Sequence, residues 1–179
     1  MRTIALLLAG VPLIVAEPEP SWARPSPVLA GQAATLDALL IYHGTWKVTA
    51  QHPWSGSPAG TVDRLRSDCH RYTAYVACEQ SINGKPLALI VYTPGEGPGT
   101  FHTRTIAPSG LAGGRGSMTM AGDKWTYLDR PAAGLTGPWS RVENVIASPN
   151  RITFDEYEST DDGKTWRLVN RGVEERAEG

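Results

Sequence analysis

Reactive chemistry is scarce in this sequence, which holds only two cysteines and four histidines. His43, His52, His70 and His102 show no His-x-x-x-His or Cys/His ligand spacing, so no metal site is expected. Cys69 and Cys78 lie too far apart for the Cys-x-x-Cys of a redox motif. Excess charge is also missing: the formal net charge is -1. Arg2, Glu17 and Glu19 fall within residues 1–23, so the remainder carries equal numbers of basic and acidic residues. That balance argues against a nucleic-acid partner, which needs a basic stripe to displace counterions from phosphates. It equally weakens electrostatic attachment to an anionic membrane. The glycine-rich Gly114-Arg115-Gly116-Ser117 is not a Gly-x-Ser-x-Gly elbow, and no Lys-Ser/Thr follows Gly110–Gly116 as a phosphate loop requires. No catalytic constellation is found, so neither an enzyme nor a cofactor is expected.

Long apolar runs are confined to the N-terminus. Arg2 precedes a run from Ile4 to Ala16 broken by Gly10 and Pro12, and Ser21-Trp22-Ala23 places small residues where a signal peptidase reads them. Residues 1–23 are therefore expected to be a signal peptide, and the protein to be exported, periplasmic or secreted. No later run is long enough for a membrane helix, so no stable span is expected once the signal is removed. Residues 24–35 are rich in Pro, Ser and Gly and read as a flexible linker. Leu36 to His43 fits one short helical turn, with Thr35 as cap and Leu36, Leu39 and Leu40 on one face.

From Gly44 onward, short runs rich in Val, Ile, Thr, Tyr, Phe and Trp alternate with turn residues. Strands are expected near 45–51, 61–71, 75–80, 87–93, 100–106, 116–121, 124–128, 139–146, 151–157 and 165–174. Asn83-Gly84, Pro94-Gly95, Gly122-Asp123, Pro149-Asn150 and Asp162-Gly163 separate several of them. No helical stretch of useful length intervenes, so parallel crossovers are excluded. The expected fold is all-β: an antiparallel up-and-down barrel of about ten strands over residues 36–176, with 177–179 as a tail.

An exported compartment permits a disulfide, free buried thiols being the alternative. A two-residue turn at Thr73-Ala74 brings Cys69 opposite Cys78 in a non-hydrogen-bonded pair, the type with the closer Cα atoms.

Gly44-Thr45-Trp46 is a Gly-x-Trp at the start of the first strand. Here the chain resembles the calycin superfamily of lipocalins and related barrels. That resemblance implies a Trp closing the base of the barrel under a late basic side chain, for which Arg171 and Arg176 both fit. Leu39-Leu40, Cys69, Cys78-Glu79-Gln80, Asn83-Gly84-Lys85-Pro86 and the late Ser-x-Asp-x-Gly turn extend the likeness across roughly residues 36–176. Together they resemble an uncharacterised bacterial family of lipocalin-like domains, which implies a fold and no activity. Some Gly-x-Trp barrels resemble nitrobindin-like haem proteins, whose proximal His lies late in the chain. No His follows His102, which counts against haem.

Ser159-Thr160-Asp161-Asp162-Gly163-Lys164-Thr165-Trp166 matches the Asp-box pattern of sialidase propellers. Its chemistry is local, and a single copy cannot indicate a propeller. Ser159, Asp161, Gly163 and Trp166 are read as a structural turn.

A barrel of this size can hold one small ligand. Alternation along the first strand puts Trp46, Val48, Ala50 and His52 on one face, and His102 shares a face with Arg104 on the fifth. The expected ligand-binding residues are Trp46, Val48, His52, His102 and Arg104, and the expected partner is a small, mostly apolar molecule. The alternatives are a filled barrel acting through its surface, or less favourably a small hydrolase or isomerase.

Overall fold

The computed structural model describes residues 35–131 and 136–177. The expected signal peptide, all but Thr35 of the linker, and Glu178-Gly179 lie outside these residues. A 3-10 helix, Leu36–Tyr42, precedes ten strands: β1 (Gly44–Ala50), β2 (Val62–Arg71), β3 (Val76–Ile82), β4 (Lys85–Pro94), β5 (Thr100–Ile106), β6 (Ala112–Ala121), β7 (Lys124–Asp129), β8 (Trp139–Ser148), β9 (Arg151–Ser159) and β10 (Arg167–Arg176). Each pairs antiparallel with the next, and β1 pairs with β10, so the meander closes into a barrel without a free edge.

The period-2 pattern sorts the strands. On β2, Asp63, Leu65, Ser67 and Cys69 are buried, while Val62, Arg64, Arg66 and His70 are exposed. The inward set forms one core through the barrel, including Val48, Phe101, Met118, Trp125, Ile146, Ile152 and Phe154.

The helix closes one end, the base. Its buried residues are Leu36, Leu39 and Tyr42, every third residue, where an α-helical turn would have used Leu36, Leu39 and Leu40. Thr35 makes no side-chain cap; the first turn is held instead by the Ala38 N–H on the Thr35 carbonyl at 3.1 Å.

Trp46 is completely buried at this base, and its Nε1 donates to the Tyr42 carbonyl at 3.0 Å. The Arg176 guanidinium lies 4.3 Å from the Trp46 ring centroid. It also donates to the carbonyls of His43 at 2.8 Å and Ile41 at 2.9 Å, binding the helix, β1 and β10 together. Arg171 points to the outer wall and pairs with Asp155 at 3.1 Å. Gly44 is required by two constraints: its φ is +120°, and a Cβ there would lie 2.8 Å from Arg176 Nη1.

Cys69 and Cys78 are directly opposite on β2 and β3, disulfide-bonded with Cα atoms 4.0 Å apart. Because the closed loop is short, the double substitution Cys69→Ser/Cys78→Ser should cost only about 2.6 kcal/mol by loop-closure entropy. Urea melts of wild type and double variant measure it; identical midpoints would show that the hairpin needs no staple.

The β9–β10 turn is held by its own side chains. Ser159 Oγ accepts from the Gly163 N–H at 2.9 Å, and Asp161 Oδ1 accepts from the Thr165 N–H at 2.8 Å. Thr165 and Ser159 hydroxyls add donors to Asp161, and these bonds hold its carboxyl down to about 2. Gly163 takes φ +82° against the face of Trp139, and Trp166 packs on the Arg141 guanidinium, 4.5 Å from it.

Candidate functional site

The lumen is apolar at most positions, so its few polar side chains stand out. Tyr42 from the helix, Tyr92 from β4 and Tyr127 from β7 converge inside the barrel. The Tyr127 ring lies between the other two, its centroid 6.5 Å from that of Tyr42 and 6.3 Å from that of Tyr92. Asn144 of β8 donates from Nδ2 to the Tyr42 hydroxyl at 3.0 Å. The Tyr42 and Trp125 rings meet edge to face with centroids 5.6 Å apart, closing an aromatic wall beside the hydroxyls. Burial pushes all three phenols upward, Tyr92 to about 12, so they are neutral donors and acceptors at any physiological pH.

Glu174 completes the group. It points inward from β10, one alternation step above Arg176 and opposite Val48 of β1. It is 7% exposed, and among the described residues it has no ion-pair partner. Burial alone pushes its carboxyl up to about 7. Asp63 shows the contrast. Burial raises that carboxyl too, but donors from Ser55 at 2.7 Å and Asn83 at 2.8 Å outweigh it and bring the group below its ordinary value. Asp63 is a satisfied structural acid, whereas Glu174 is an acceptor held in the lumen without a donor.

The end opposite the helix is covered by the β1–β2 loop. Asn170 clamps this loop by accepting from the His52 N–H and donating to the His52 carbonyl, both at 2.9 Å. Trp54 then stacks on inward-facing Phe154 at 5.0 Å between centroids.

The structure divides the expected ligand-binding set. Trp46 and Val48 face inward and are buried. His52 does not line the lumen: β1 ends at Ala50, the chain bends, and the His52 side chain is exposed. His102 and Arg104 likewise do not line it, because Phe101 and Thr103 take the inward positions of β5 and leave both on the outer wall. Tyr42, Tyr92, Tyr127, Asn144 and Glu174 were not among the expected ligand-binding residues. A signal for Glu174 did exist: with Arg176 over Trp46, counting back by two places 174 inside. Tyr42 carried no such signal, since its place depends on the 3-10 geometry of the helix.

No protein-family model matches the sequence, and no curated protein matches it. Among solved structures the chain is similar to Rv2717c from M. tuberculosis, with 16% identity and a TM-score of 0.50 over 80% of this chain and 97% of that one. It is also similar to the S-type phycobiliprotein lyase CPES from Guillardia theta, with 11% identity and a TM-score of 0.50 over 85% of this chain and 97% of that one. At these identities the likeness is one of fold: the chain is a closed antiparallel ten-strand β-barrel of lipocalin-like form. No helix among the described residues is long and apolar enough to cross a membrane.

Proposed function

We propose that this barrel binds a small, mostly apolar molecule whose head group donates a hydrogen bond to Glu174. The supporting observation is the buried Glu174 carboxyl, unpaired by any cation of the described residues and close enough to the Tyr42 and Tyr92 phenols for its charge to be felt there. An apolar lining with a few convergent polar groups is the usual composition of a small-molecule site. The tyrosine rings favour a cationic or polarised head, since their faces are electron-rich. The phenols and Asn144 supply further donors and acceptors for orientation.

A second reading, a filled barrel acting through its surface, draws support from the bulk of the lining. Trp46, Trp125, Phe101, Phe154, Met118 and Met120 all point inward. A concavity of about 760 Å³ opens on the outer wall.

Titration of intrinsic fluorescence with n-octylamine, 1-octanol and octanoate separates the two. The carrier reading expects saturable quenching by the amine and the alcohol, little response to the carboxylate, and loss of the amine response in Glu174→Gln. No response to any of the three would favour the filled barrel.

A further inference from the structure

His102 and Arg104, displaced from the lumen, meet other basic groups outside it. A groove of about 760 Å³ on the outer wall of β5 and β6 is lined by His102, Arg104, Arg115, Ser117 and Arg130. Arg104 stands directly opposite Arg115 in the strand register, and His102 opposite Ser117. All five side chains are exposed.

Arg141, Arg151, Arg167 and Arg171 each sit beside a carboxylate: Glu143, Glu175, Glu158 and Asp155. Among the described residues, Arg104, Arg115 and Arg130 have no such neighbour within ion-pair distance. Arg64 and Lys47, opposite each other on β2 and β1, also lack a carboxylate within ion-pair distance among the described residues, but on β5 and β6 three such arginines line one groove. The neighbouring acid, Asp129, turns away and packs its Oδ1 against Gly116 beside Thr103. Arg130 is positioned by Trp139, whose ring centroid lies 4.6 Å from its guanidinium. Like charges directly opposite on paired strands repel, so Arg104 and Arg115 destabilise the sheet unless an anion lies between them.

We infer that this groove is an oxyanion site, taking a phosphate or sulfate group carried by a small molecule. Guanidinium forks match tetrahedral oxyanions, and three converging arginines fit a group with more than one negative charge better than a single carboxylate. The groove has the volume of a small-molecule site, roughly 300–1,000 Å³. It lies outside the lumen, so it stands or falls independently of the carrier reading.

The test is calorimetric and thermal-shift titration at low ionic strength, where surface charge is least screened. The probes are inorganic phosphate, pyrophosphate, phenyl phosphate and acetate. Pyrophosphate and phenyl phosphate should bind saturably and raise the melting temperature, with acetate inert. Phenyl phosphate matching or exceeding inorganic phosphate would identify a carried group; inorganic phosphate binding alone would overturn that part. Arg104→Gln/Arg115→Gln should lose at least about tenfold in affinity, whereas the paired-arginine control Arg171→Gln should bind as wild type. Without anion, the double variant should melt no lower than wild type, because a repulsive pair has been removed. Equal losses in the double variant and the control, or no saturable binding by wild type, would overturn the site.

Discussion

Replacing Trp46 with alanine is expected to lower stability by about 3–5 kcal/mol, the range for losing a fully buried aromatic side chain. Trp46 is completely buried, and three elements depend on it. Its Nε1 holds the Tyr42 carbonyl at the end of the helix, and its ring carries the Arg176 guanidinium, which in turn holds the carbonyls of Ile41 and His43. The substitution leaves the Tyr42 carbonyl without its donor and opens a cavity under the helix. Trp166 provides the comparison. It is half-buried and covers Arg141 from the outer side, so Trp166→Ala should cost only about 1 kcal/mol, near the value of an exposed cation–π contact. Urea denaturation of both variants measures the difference. Losses within about 1 kcal/mol of each other would mean that the base of the barrel is not organised around Trp46.

Glu174→Gln is expected to stabilise the protein at pH 8 and to leave it unchanged at pH 4. Burial raises the carboxyl from an ordinary 4.5 to about 7, so the folded state prefers the neutral acid. Between those values the folded protein binds a proton that the unfolded chain has released. Stability from this group is therefore complete below 4.5, falls as pH rises, and is gone above 7. Across that interval the loss amounts to about 3 kcal/mol, at roughly 1.4 kcal/mol for each step of one in pH. Glutamine keeps the shape and stays neutral, so its advantage should appear over the same interval. Thermal melts of both proteins from pH 4 to pH 8 give the test. Equal stability at pH 8 would mean that the carboxylate already has a partner. A bound donor should recover the same stabilisation for the wild type, which links this measurement to the lumen.

The fold was largely legible because it rests on signals that are local in sequence. Period-2 runs between Gly, Pro, Asn and Asp turns mark ten strands, and the missing crossover helices leave only a meander. The Cys69–Cys78 pairing followed from counting outward from one two-residue turn. Arg176 could not be separated from Arg171 beforehand, because inward parity on β10 depends on the irregularity between Leu168 and Asn170. That shift in register resets which residues face the lumen, and a one-residue slip exchanges every side chain between faces. The lumen was less legible for the same reason. His52 follows the alternation of β1 only on paper, since the strand stops two residues earlier. On β5, Phe101 and Thr103 compete with His102 and Arg104 for the inside, and apolar burial decides in favour of the first pair. Glu174 reads as an ordinary surface acid beside Glu175 until Arg176 is known to face Trp46.

Native mass spectrometry of the protein purified, without denaturation, from the cells that make it tests the carrier reading most directly. A wild-type species carrying one additional small molecule per chain is expected, released on acidification as Glu174 takes up a proton, and absent or strongly reduced in Glu174→Gln. The bare chain mass alone in the wild type, or an adduct retained equally by Glu174→Gln, would contradict it.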